Sequence, residues 1–244
     1  MKTILLTGDS RGVGNSIAKE LLRNGYRVVG LSRTQTNEIN ALVDQYGELR
    51  YKHINYDLLD VNGIKDLYKK IIRPLTKETG IHGFVNNAAM AYDDIITNLN
   101  YESLKKMYEL NVFSPMMMTK YVLRDMLLNK NKGNITHISS VSAHTGYKGL
   151  AMYASTKGAM EAFSKNTARE WGPLGIRSNI VCPGFMDTEM SSTLSDDQKN
   201  RIFNRNSMKK PLEVEAVATS VLFLIGPSGK GITGQVIHVD NGTI

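Results

Sequence analysis

The chain has 244 residues, 41% hydrophobic and 22% charged, a balance that excludes a disordered or fibrous protein. The 30 Lys and Arg against 23 Asp and Glu leave a net charge of +7, but no basic block is long enough for a nucleic-acid arm. The excess reads as solvated surface plus a few phosphate contacts.

No apolar run approaches the ~20 residues of a membrane helix. The apolar stretch at the start is too short for a signal peptide and reads as the first strand, 3–7, of a cytoplasmic protein. Short segments rich in Val, Ile and Leu follow at 26–31, 51–55, 81–86, 133–139, 176–182 and 235–239. Several are apolar on both faces, as strands of a covered parallel sheet must be. Helical spacing fills the gaps. Residues 15–24 place Ile17, Ala18, Leu21 and Leu22 on one stripe, and Gly25 ends the run. Ile64, Leu67, Tyr68 and Ile71 repeat that spacing, with Pro74 near the end. Residues 104–128 read as one long helix with a bend around 111–115, at Pro115. Residues 151–171 and 213–225 complete the set. Residues 183–208 read as irregular, and 184–208 as a substrate lid. The alternation predicts one α/β domain over 1–244, a doubly wound sheet of about seven parallel strands with helices on both faces.

Cys182 is the only cysteine, so no intrachain disulfide and no cysteine-based metal site is expected, and a small buried side chain is. His53, His82, His137, His144 and His238 are scattered, without a His-x-x-x-His pair, and no metal is expected. His137 and His238 read as packed within strands, His144 as lining a pocket. Thr7-Gly8-Asp9-Ser10-Arg11-Gly12-Val13-Gly14 joins the first strand to the first helix. Glycines there let backbone N–H groups and the helix N-terminus approach a pyrophosphate. The spacing is Gly-x-x-x-Gly-x-Gly, not the commoner Gly-x-Gly-x-x-Gly.

At this turn and beyond, the sequence resembles the short-chain dehydrogenase/reductase family. Asn86-Asn87-Ala88-Ala89 follows the fourth strand, Asn111 lies in the long helix, Ser140 ends the fifth strand, and Tyr153-x-x-x-Lys157 opens the next helix. Pro183-Gly184 with Thr188 follows the sixth strand, and 232–242 resembles the family's last strand and interface segment. The resemblance covers essentially the whole chain and implies a Rossmann-type fold. It is greatest to 3-oxoacyl-[acyl-carrier-protein] reductases and related bacterial carbonyl reductases. Ala89 stands where the family usually has glycine, and Asn241 where a second glycine is common.

The resemblance implies a catalytic set of Asn111, Ser140, Tyr153 and Lys157, with the Asn111 carbonyl holding a water beside the lysine. Tyr153 and Lys157 share a helix face. The ammonium, together with a positive nicotinamide ring, is expected to lower the phenol from its usual pKa of ~10. Tyr153 then serves as general acid in reduction, and Ser140 holds the substrate carbonyl. The implied cofactor set is Gly8, Ser10, Arg11, Gly12, Val13 and Gly14 at the turn, and Ala88 and Ala89 near the nicotinamide. Asp57 and Leu58 flank the adenine, Asn87 and Lys157 meet ribose hydroxyls, and Met186 and Thr188 reach the carboxamide.

NAD-selective sites carry an acid about 20 positions past the glycines. Here the corresponding stretch, 30–34, has no Asp or Glu and none follows before Glu38, while Arg33 with Arg11, Ser32 and Thr34 suits a 2′-phosphate, so NADP(H) is expected. The expected activity is reduction of a ketone or 3-oxoacyl group. The alternatives are a catalytically silent NADP(H)-binding protein and a dehydrogenase of a sugar or other polar alcohol. The resemblance further implies a homotetramer paired through 104–128 and 151–171, with no nucleic-acid or membrane partner. The segments 90–98, 141–152 and 185–208 are expected to line the pocket, and their expected inward groups, Tyr92, His144, Tyr147, Met152, Phe185, Met186 and Met190, are mostly apolar. Asn131 and Leu174 occupy positions where carrier-dependent members have arginines. Apolar ketones or free 3-oxoacyl thioesters are therefore expected ahead of a substrate on a carrier protein.

Overall fold

Ile4 and Leu6 of β1 (Thr3–Thr7) pack into one apolar cluster and Leu5 into another, so the strand is covered on both faces. The structure, a computed structural model, describes residues 1–187 and 194–244. The remaining strands are β2 (Arg27–Ser32), β3 (Tyr51–Asn55), β4 (Gly83–Asn86), β5 (Asn134–Ile138), β6 (Arg177–Pro183) and β7 (Val236–Val239). All pair in parallel, in the order β3-β2-β1-β4-β5-β6-β7. The order reverses between β1 and β4, which opens a crevice outside their C-terminal ends.

The helices are α1 (Gly12–Arg23), α2 (Asn37–Tyr46), α3 (Ile64–Leu67), α4 (Arg73–Leu75), α5 (Tyr101–Tyr108), α6 (Ser114–Leu128), α7 (Ala151–Trp171), α8 (Asp196–Phe203) and α9 (Val214–Ile225). The apolar stripes of α1, α2 and α9 cover one face of the sheet, those of α3 and α6 the other, and α7 lies against β6. No helix among the described residues is long and apolar enough to cross a membrane.

The expected bend in the long helix is a π-helical turn, Glu109–Phe113, joining α5 to α6. Pro115 stands at the start of α6, so its missing N–H falls where the regular ladder is already broken. A second π-turn, Tyr68–Ile72, precedes Pro74 in the same way. The long helix also starts earlier than its apolar spacing suggests, because Asn100 Oδ1 caps it at Ser103 N, 2.9 Å away.

Two helices escape the hydrophobic pattern. In α2 only Ile39 and Leu42 are buried, and the start is set by Thr36, whose hydroxyl accepts from Ile39 N. In the expected irregular stretch, α8 has no buried residue and is fixed by a capping box between Ser195 and Gln198. That Ser-x-x-Gln signature was readable.

Candidate active site

Gly8 and Gly12 adopt left-handed φ of +72° and +53°, which the turn after β1 requires. A Cβ on Gly14 would lie 1.9 Å from the Gly8 carbonyl oxygen, whereas above Gly12 there is open space. The N-terminus of α1 carries no side-chain cap and no acidic residue in its first turn. This cradle of unoccluded backbone fits a pyrophosphate. Asn87 pins it from β4: its Nδ2 donates to the Thr7 and Gly8 carbonyls, 3.1 Å each. Thr7 Oγ1 completes the stitch by accepting from the amides of Asn87 (3.0 Å) and Ala88 (3.1 Å). Asn87 thus has a positioning role besides the expected ribose contact.

Ser10 accepts the Thr36 hydroxyl at its carbonyl, 2.8 Å, which ties the turn to α2, and Val13 is half-buried against the core. Arg11 and Arg33 are both exposed, at the start of α1 and just past β2. Arg33 makes no ion pair among the described residues. Asp57 is committed to its own turn, its Oδ1 accepting from Leu59 N at 3.0 Å. Leu58 is a core residue, 5% exposed, with little surface to offer an adenine. Ala89 and Met186 are half-buried, and Thr188 lies outside the described residues.

Sequence reading missed an acid beneath the turn. Asp9 is fully buried and its Oδ2 accepts the Tyr51 hydroxyl at 2.7 Å, with His53 Nδ1 2.8 Å away. A Cβ on Gly30 would meet that carboxylate at 1.7 Å, so only glycine fits the middle of β2.

The catalytic candidates converge at the end of β5. Ser140 Oγ accepts from Ser142 N (3.2 Å) and Ser142 Oγ (3.0 Å), which leaves its own proton to donate. It stands close enough to the Tyr153 phenol to lower its pKa. Ser142 therefore orients Ser140, a role its sequence position did not announce. Lys157 is 5% exposed; its Nζ donates to the Ile138 carbonyl at 2.9 Å and lies 5.4 Å from the centre of the Tyr153 ring. Burial pulls the ammonium down to about 8. Asn111 spends its whole amide on structure: Oδ1 accepts from Met90 N (2.9 Å), and Nδ2 donates to Met90 O (2.8 Å) and Thr156 Oγ1 (3.1 Å). It clamps the segment after β4 to α7 from within the π-turn.

The lowering of Tyr153 expected from Lys157 is not what the chain alone produces. Burial raises the phenol, the charges of Asp93 and Cys182 raise it further, and the Ser140 hydroxyl acts the other way. The ammonium is turned toward Ile138 rather than the phenol. His144 Nε2 lies 3.0 Å from Glu161 Oε1, and its ring meets His238, which is exposed rather than packed as expected. His137 is packed as expected, and Cys182 is fully buried.

A family model described as Enoyl-(Acyl carrier protein) reductase matches residues 8–243. The 3-oxoacyl-[acyl-carrier-protein] reductase FabG of Escherichia coli (strain K12) is 34% identical over 241 residues, covering 99% of this chain and 96% of that protein. Among solved structures, a blue fluorescent protein from a metagenomic library in complex with NADPH superposes with a TM-score of 0.91 at 27% identity, covering 99% of this chain and 97% of that one. A short chain dehydrogenase from Burkholderia cenocepacia J2315 in complex with NADP gives 0.89 at 26% identity, with coverages of 99% and 97%. The chain belongs to the short-chain dehydrogenase/reductase family.

Proposed function

We propose that the chain is an NADP(H)-dependent reductase that converts a ketone or 3-oxoacyl group to a secondary alcohol, with Tyr153 as proton donor. The observation that carries this reading is the gathering of the Ser140 hydroxyl, the Tyr153 phenol and the buried Lys157 ammonium at the strand ends that border the glycine cradle. The relatives solved with NADPH and NADP support the choice of cofactor, and the FabG relative the 3-oxoacyl substrate class.

The turn from Gly8 to Gly14 and the α1 N-terminus would hold the pyrophosphate, and Arg11 and Arg33 the 2′-phosphate. Lys157 and Asn87 would face ribose hydroxyls. Ala88, Ala89 and Met186 would border the nicotinamide. When bound, the reduced cofactor supplies hydride to the substrate carbonyl carbon. Ser140 donates its free proton to the carbonyl oxygen and holds it next to Tyr153. Tyr153 transfers its proton to that oxygen as negative charge develops there. A phenol raised by burial stays protonated near neutral pH, which suits the reducing direction. Oxidation would need the opposite shift, which the positive charge of an oxidised cofactor would supply when bound.

The test is NADPH oxidation across simple ketones, sugars, quinones and 3-oxoacyl thioesters. Tyr153→Phe should lower turnover by roughly 10²–10⁴-fold while NADPH affinity, read by fluorescence, barely changes. Unchanged turnover in that variant overturns the reading.

A further inference from the structure

Outside the catalytic set, the fold gathers three side chains with metal-ligand chemistry: His144, Cys182 and His238. One ligand atom from each lies within 4.8 Å of the other two. We propose that they form a binding site for a soft divalent transition cation, zinc foremost, at the edge of the active site. The sequence conceals it because the three residues stand on three different segments and show no ligand spacing. The sheet register brings them together. Cys182 of β6 and His238 of β7 are direct cross-strand partners, so their side chains leave the same face. His144 closes the 3-10 turn Val141–Ala143 and reaches that face, its ring centroid 4.7 Å from that of His238 at an interplanar angle of 88°.

The shape suits an ion entering from solvent, with two exposed histidines at the mouth and a fully buried thiol as the floor. A thiolate with two imidazoles is the donor set that zinc prefers, whereas magnesium and calcium favour oxygen ligands. Tetrahedral zinc with Zn–S near 2.3 Å and Zn–N near 2.0–2.1 Å sets its ligand atoms about 3.3–3.7 Å apart. The observed spread closes to that by side-chain movements of about an ångström. An outer partner is already in place: Glu161 Oε1 lies 3.0 Å from His144 Nε2 and accepts the Ser139 hydroxyl at 2.5 Å. Carboxylates beside ligand histidines are a recurrent feature of zinc sites. On binding, the Cys182 S–H bond breaks, its proton leaves to solvent and the sulfur–metal bond forms; the fourth position stays open to water. Occupancy would tie the segment between Ser140 and Tyr153 to the outer strands of the sheet.

Calorimetric titration of the full chain with Zn²⁺ should give one ion per chain, and Zn²⁺ but not Mg²⁺ should raise the melting temperature. Co²⁺ as a spectroscopic probe should show thiolate-to-cobalt absorption in the near ultraviolet, lost in Cys182→Ser. His238→Gln alters an exposed side chain outside the catalytic set. It should weaken zinc binding by at least about 10-fold, the lower end of what losing even an outer partner costs, and leave the metal-free melting temperature unchanged. Absence of saturable zinc binding overturns the inference. So does a cobalt spectrum without the thiolate band, or zinc affinity unaltered in His238→Gln. None of these readouts depends on catalytic activity, so the inference and the proposed reaction fail separately.

Discussion

Arg33 is the residue on which cofactor choice turns. It is exposed immediately past β2, where an acid selective for a ribose hydroxyl would otherwise stand. Losing one charged hydrogen-bonding partner costs about 1.5–3 kcal/mol, roughly 10- to 100-fold in affinity. Arg33→Asp should therefore weaken NADPH by that factor and shift preference toward NADH, read as two dissociation constants from fluorescence titration. Equal affinities for NADH and NADPH in the unaltered protein would refute the assignment before any variant was made. At this scale the sequence was informative where chemistry sits in fixed local spacing, as for Tyr153 and Lys157 one helical turn apart. It was silent where a role comes from tertiary approach. Nothing local places Asp93 near the Tyr153 phenol, turns Ser142 onto Ser140, or lays the Asp9 carboxylate beneath Gly30. Burial likewise comes from tertiary approach, and in the chain without the positive nicotinamide it raises the Tyr153 phenol.

β5 is buried at every position, and its two polar residues with orphaned side-chain atoms, Asn134 and His137, have no solvent to fall back on. Both ring nitrogens of His137 lack a hydrogen bond, and the ring is wedged edge-on between Phe84 and Phe163. Burial, aided by the Lys157 charge, drags its pKa from 6.5 to about 3. The folded value is below the unfolded one, so the unfolded chain takes up the proton first. The stability tied to neutral His137 is complete above about 6.5 and is lost as pH falls toward about 3. His137→Leu should flatten that loss, and it should add about 1–3 kcal/mol at neutral pH by removing unpaired buried polar atoms. Urea midpoints at pH 7.5 and pH 5 would show it; an equal drop in both proteins would contradict the account. Strands such as β5 were legible because a covered parallel strand is apolar on both faces. The helix α8 was not, since none of its residues is buried and only its cap marks it. The π-turns were hidden because a single extra residue per turn leaves the apolar spacing nearly intact.

The outer surface decides what the whole molecule meets. Tyr101 and Phe113, on the long helix formed by α5, the π-turn and α6, are 68% and 49% exposed, and we propose that this face pairs subunits of a homotetramer. Phe113→Asp should then lower the mass measured by sedimentation at micromolar concentration, and a native protein that sediments as a monomer would exclude the assembly. Substrate presentation follows from charge. An acidic carrier protein needs a basic rim around the entrance, and binding through such a rim weakens with salt. Lys130 and Lys132 do not supply one, since they precede β5 and stand at the end of the sheet opposite Ser140 and Tyr153. Asn131 between them is spent inward, its Nδ2 donating to the carbonyls of Thr79 (2.8 Å) and Ile81 (3.1 Å). Leu174, 54% exposed, adds an apolar surface rather than a cation. Free 3-oxoacyl thioesters should accordingly be reduced at least as efficiently as the same acyl group on its carrier, with kcat/KM changing little as ionic strength rises. NADPH oxidation with both substrate forms over a salt series measures this. A strong preference for the carrier-bound form that decays with salt would mean that a basic rim is built from residues elsewhere than at 131 and 174.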